Sequence, residues 1–125
     1  FGGYKNKNAN NLIEAKQELN KKINKDFVEY SKIELFYLQE IINLCKMKSV
    51  KLYVVNTPKH KDYLAYYSKR EFYLNSIIKK RFAKVNYLDL SKLLDNDQYF
   101  QDLMHLNRKG AQKLTNYIAL NFIEK

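Results

Sequence analysis

The stretch VKLYVVNTP, residues 50–58, decides how the chain is read. It is short, dense in β-branched and aromatic residues, and ends abruptly, the pattern of a strand buried at the centre of a sheet. Asn56, Thr57 and Pro58 terminate it, because proline has no amide to give to a ladder and forces the residue before it out of the helical region. A second stretch of this kind, KVNYLDL, occupies residues 84–90. Between the two, residues 62–82 carry Tyr63, Tyr67, Leu74, Ile77 and Phe82 at helical spacing, which predicts a helix with these side chains inward. Strand, helix, strand is the βαβ unit of a parallel sheet.

The flanks add helices. Residues 1–10 are rich in Gly, Asn and Lys and read as a flexible N-terminal segment. Leu12, Ala15, Leu19 and Ile23 mark an amphipathic helix over 10–25. Ser31 followed by Glu34 is a capping box, in which the hydroxyl accepts from the Glu34 amide. It opens a second helix through Lys48. That helix bears two adjoining apolar stripes, Ile33, Tyr37, Ile41 and Leu44 beside Leu35, Leu38, Ile42 and Cys45, so it is expected to be largely buried or to cover a sheet. Residues 91–106 are polar and irregular, with room for one helical turn. Asn107 caps a last helix to Phe122, with Ala111, Leu114, Ile118 and Phe122 inward.

The expected fold class is therefore α/β: a single domain over residues 1–125, a partial three-layer, flavodoxin-like unit with a small parallel sheet flanked by helices. Two strands cannot bury both faces of a sheet, and they leave open edges through which copies could self-associate. The opening Phe1-Gly2-Gly3 reads as a cut inside a longer gene product, so strands belonging beside these two are expected upstream.

The chain's net charge is +10, yet lysine outnumbers arginine 20 to 3 and the basic residues are scattered. Sequence-specific nucleic-acid readers depend on arginine forks and concentrated stripes, so no specific nucleic-acid partner is expected. An anionic polymer or surface would suit the charge, but the abundance of Lys with Asn, Tyr and Ile reads more simply as solvated surface written by an AT-rich genome. No apolar run approaches the ~20 residues of a membrane helix. Cys45, the single cysteine, excludes an intrachain disulfide and reads as a small buried apolar residue.

In parallel α/β sheets functional groups gather at the carboxyl ends of the strands. The first strand end brings Asn56, Thr57 and His60. The second leads to Asp102 and His105. An aspartate three residues before a histidine can accept from one ring nitrogen and fix the tautomer, leaving the other nitrogen as a base. The plainer reading of Asp102 is a favourable charge near a helix N-terminus. For His60, which follows a strand end, a solvated loop position competes with a place in the cleft and is the preferred reading. His60, Asp102 and His105 match no zinc spacing, so no metal or other cofactor is expected.

The block YFQDLMHLNRKGA, residues 99–111, resembles the last conserved block of the SGNH, or GDSL-type, hydrolases and acyltransferases, where Asp-x-x-His continues as His-Leu-Asn-x-x-Gly-Ala. Residues 50–63 are similar to a late segment of bacterial SGNH-like proteins that modify cell-surface polymers. The likeness spans about residues 31–120. It implies a C-terminal portion of such a domain, with His105 as general base, Asp102 as its orienting acid, an acylated glycan or surface polymer as substrate of the parent protein, and a cell-envelope or extracytoplasmic location. The Gly-Asp-Ser nucleophile motif and the glycine-bearing oxyanion elements of that family do not occur in these 125 residues. A non-catalytic module of the same shape, binding a glycan or surface polymer, is the alternative.

Overall fold

A computed structural model describes residues 10–21 and 31–123. The fold is mixed α/β, mostly helical, around a small parallel sheet. In chain order come α1 (Asn10–Lys21), α2 (Lys32–Met47), β1 (Tyr53–Asn56), α3 (Lys61–Tyr66), α4 (Ser68–Arg81), β2 (Asn86–Asp89), a 3-10 turn (Asp97–Tyr99) and α5 (Arg108–Ile118), which runs into a π-turn (Ala119–Ile123). The expected N-terminal loop and the end of the first helix, including Ile23, lie outside the described residues.

The strands pair in parallel with Tyr53 opposite Asn86 and Asn56 opposite Asp89. Both are shorter than the sequence pattern suggests, since the ladder uses only four residues of each, Tyr53–Asn56 and Asn86–Asp89. Each keeps one edge without a strand neighbour among the described residues. Tyr53 reaches the C-terminal helix, its hydroxyl donating to the Phe122 carbonyl at 3.4 Å.

Capping follows the sequence closely. The Ser31 hydroxyl accepts from the Glu34 amide at 3.2 Å, and the Asn107 side chain accepts from the Gly110 amide at 3.0 Å. At the far end of α2, Ser49 takes a left-handed φ of 54°, and the next amide, of Val50, returns to the Cys45 carbonyl at 2.8 Å. That closes the helix by the left-handed device that glycine usually supplies.

Three expectations are corrected. The helix expected over 62–82 is two helices, interrupted at Tyr67. The break has a packing cause. α3 buries Tyr63 in a cluster with Leu12, Leu19, Leu94, Phe100 and Leu103, whereas α4 buries Ile78 and Phe82 with Leu35 of α2. One straight helix cannot face both clusters, and Leu74, expected inward, is left at the surface. On α2 only the stripe of Leu35, Leu38 and Ile42 packs inward, against α4 and the approach to β2; Ile33, Tyr37, Ile41 and Leu44 are exposed. Cys45 is half-buried, at the margin of that layer.

Candidate functional site

The loop after β2 is folded back on itself. Phe100 and Leu106 form an antiparallel bridge, and the Gln101 amide donates to the His105 carbonyl at 2.9 Å. Inside this closure the Asp102 carboxylate accepts from the amides of Met104 and His105, at 2.8 and 2.9 Å. A short acidic side chain organising the amides two and three residues on is a local turn lock.

The same carboxylate meets the His105 ring. Nδ1 lies 2.8 Å from one Asp102 oxygen and 2.9 Å from the other. A carboxylate only accepts, so Nδ1 carries the proton and donates. In the neutral ring that selects the tautomer with its lone pair on Nε2. The His105 side chain is 72% exposed, so the ring stands at the surface rather than in the core. Burial would push the Asp102 carboxyl up, but the Met104 amide, the His105 ring and the His105 amide outweigh it and hold the group below the usual carboxylate range.

The residues after His105 explain why the turn sits where it does. Leu106 packs against the first apolar cluster. The Asn107 amide donates to the Tyr99 carbonyl at 2.9 Å, while its side chain donates to the Gln98 carbonyl at 2.6 Å and caps α5. Gly110 is required by close approach: a Cβ there would stand 2.2 Å from the Tyr99 carbonyl oxygen. Lys113 closes the set, its ammonium 3.0 Å from the Tyr99 hydroxyl and 4.6 Å from the ring centroid.

Beside the dyad lies a hollow of about 240 Å³, bounded by Glu18 and Leu19 of α1, by Tyr63 of α3, and by the turn from Asp102 to His105. The third wall, α1, was not part of the site foreseen from sequence. It is tied down by Lys16, whose ammonium lies 2.6 Å from Asp97 and 3.8 Å from Asp62.

Asn56, Thr57 and His60 are placed apart from this hollow. Thr57 is exposed. Asn56 is buried in a polar network at the strand ends, where its amide donates to Glu71 and Asp89, both at 3.2 Å, and Lys59 donates to its side-chain oxygen. Lys59 and Glu71 form an ion pair at 3.0 Å, each side chain 11% exposed. Burial pushes the neighbouring Tyr87 hydroxyl up to about 12, with the Asp89 charge adding to it. Burial also acts to raise Asp89, but donors from Ser91, Asn56 and Asn75 hold it low.

His60 corrects the expectation of a solvated loop residue: it is fully buried. Its Nδ1 accepts from the Asp62 amide at 3.1 Å, capping α3, and its Nε2 meets Asp97 at 2.8 Å. The ring edge packs on Phe100 at a centroid distance of 5.3 Å. Its backbone amide donates to the Leu103 carbonyl at 3.0 Å, which ties the end of the first strand to the dyad turn. The sequence signal for this role was the position itself, a side-chain acceptor just before Lys61-Asp62, where a helix cap is needed.

Among the described residues no group of three or more His, Cys, Asp or Glu side chains is placed to hold a metal ion. No described helix is long and apolar enough to cross a membrane. Residues 2–125 match the model of one protein family, an uncharacterised one, while no curated protein and no solved structure matches the chain.

Proposed function

We propose that this chain, which belongs to that uncharacterised family, is the base-carrying part of an SGNH-like esterase or acyltransferase with a three-layer, flavodoxin-like plan. The observation that carries the reading is the two-oxygen contact of Asp102 with His105 Nδ1, which leaves Nε2 as the unprotonated ring nitrogen. In this reading a serine supplied from outside these 125 residues attacks an acyl ester. His105 Nε2 takes the serine proton and later returns it to the leaving alkoxide, while Asp102 steadies the imidazolium. The substrate class is an acylated glycan or surface polymer, and the setting the cell envelope.

The test is an assay of the full gene product on 4-nitrophenyl acetate. Activity is expected to fall by about 10³-fold or more in His105→Ala, and by about 10²–10⁴-fold in Asp102→Asn, which removes the charge that steadies the imidazolium and offers the ring a donor in place of an acceptor. Hydrolysis indifferent to His105→Ala overturns the assignment.

The second reading is a binding module of the same shape for an anionic glycan or surface polymer. It is favoured by the net charge of +10 and by the absence from the chain of a Gly-Asp-Ser motif. A full gene product that retains the polymer on a column and hydrolyses no ester decides for it.

A further inference from the structure

The hollow beside the dyad has a size and a lining that say more than the dyad does. Its volume of about 240 Å³ exceeds the ~150 Å³ of an apolar cavity that admits benzene and falls short of the ~300–1,000 Å³ of sites for drug-sized ligands. At about 30 Å³ for each water-sized unit it has room for about eight heavy atoms. Much of its wall is apolar: Leu19, Tyr63, Leu103 and Met104 contribute. Three of these, Leu19, Tyr63 and Leu103, are buried members of the first apolar cluster, so the floor is part of the packed core.

The charged lining is one-sided. In a chain with 23 Lys and Arg against 13 Asp and Glu, no basic side chain other than His105 lines the hollow among the described residues, whereas Glu18 and Asp102 both do. Asp102 is engaged by His105; Glu18 makes no ion pair with the described basic residues. Among the described lining residues a carboxylate ligand would meet two carboxylates and no Lys or Arg to receive it. A neutral group meets no such opposition.

From these observations we propose that the hollow is an acyl pocket for a neutral, short-chain ester, of about six carbons at most, in which Met104 and Leu19 limit chain length and Glu18 excludes the free acid. The proposal rests on the functional reading of the dyad for the word acyl, but the pocket's size and charge preference stand on their own lining. It also gives the product a reason to leave: the acid released by hydrolysis carries the charge that the ester lacks.

Primary amides serve as uncleavable neutral stand-ins, read on this chain by NMR at the Met104 methyl and the His105 ring. From acetamide to hexanamide, saturable shifts at both groups are expected, with affinity rising about threefold to fourfold for each added methylene. From hexanamide to decanamide affinity is expected to level off. Hexanoate is expected to bind at least fivefold more weakly than hexanamide, and Glu18→Gln to narrow that gap from the hexanoate side alone. Met104→Trp, at a position 45% exposed, fills the pocket without disturbing the core, and should weaken hexanamide at least tenfold.

Absence of saturable shifts, affinity that keeps rising through decanamide, hexanoate binding as tightly as hexanamide, or binding untouched by Met104→Trp each overturns the proposal. His105→Ala separates the two readings. A pocket that binds hexanamide in a protein whose ester hydrolysis is unchanged by that variant sinks the function and leaves the pocket standing. An active dyad with no hexanamide binding does the reverse.

Discussion

His60 donates to Asp97 through Nε2 at 2.8 Å while its Nδ1 accepts from the Asp62 amide at 3.1 Å. The amide can only donate, so the ring is held in one tautomer, protonated at Nε2. Asp97 passes the link to Lys16 of α1 at 2.6 Å. A buried histidine thus joins the cap of α3 to the helix that walls the hollow. His60→Ala removes the cap and empties the space of a fully buried ring, and is expected to cost about 2–4 kcal/mol by urea denaturation. His60→Asn, which keeps a capping acceptor, should recover about 1 kcal/mol of that.

The Asp97 link has a pH signature. Its carboxyl is held down at about 2, first by the Lys16 ammonium and then by the His60 ring, against an ordinary 3.8. A depressed folded-state pKa contributes stability that is present above the unfolded value and is lost as protons bind. The contribution is therefore complete above about pH 5 and disappears as pH falls from about 4 through about 2. Urea midpoints measured across that range should decline less steeply in Asp97→Asn than in the parent. Equal slopes would show that Asp97 is not held this way.

The ion pair of Lys59 and Glu71 is a different case, being nearly buried, with each side chain 11% exposed. Removing one partner strands the other charge away from water, so Lys59→Met or Glu71→Leu alone should cost about 3–5 kcal/mol. Replacing both should cost far less than the sum, because no lone charge remains. Chemical denaturation of the two single variants and the double variant closes the cycle, and additive losses would argue against a coupled pair.

Gly110→Ala places a methyl 2.2 Å from the Tyr99 carbonyl oxygen, a backbone atom that cannot rotate away. The helix or the 3-10 turn must shift, at a cost of about 2–3 kcal/mol, although alanine is the better helix former at an ordinary position. A thermal melt that moves upward instead would mean that the turn yields freely.

How much of this was legible in the sequence varies by residue, and for physical reasons. Asp102 and His105 could be paired from spacing because their contact is local, made inside one turn. Ser31 and Asn107 were readable as caps for the same reason. His60 was not, because its burial depends on Asp97 and Phe100, some forty residues away, and no local pattern encodes them. The break at Tyr67 was hidden because Tyr63, Tyr67, Ile77 and Phe82 keep helical spacing across it; only the division of the core into two clusters shows that α3 and α4 serve different partners. The outer stripe of α2 is a similar lesson: apolar spacing reports that a face is available, not that a layer lies over it.

The strapping of Tyr99 sets a rule for which positions can drift. The loop that carries the imidazole is fastened by main-chain groups, Phe100 to Leu106, Gln101 to His105 and Asn107 to Tyr99, and main-chain fastening is blind to the side chain hung on it. Position 104 is therefore free to change identity, while Asn107 and Gly110 are not, since each fills a space that only its own shape fits. A fold arranged this way can exchange the side chain next to the His105 imidazole without relocating the ring.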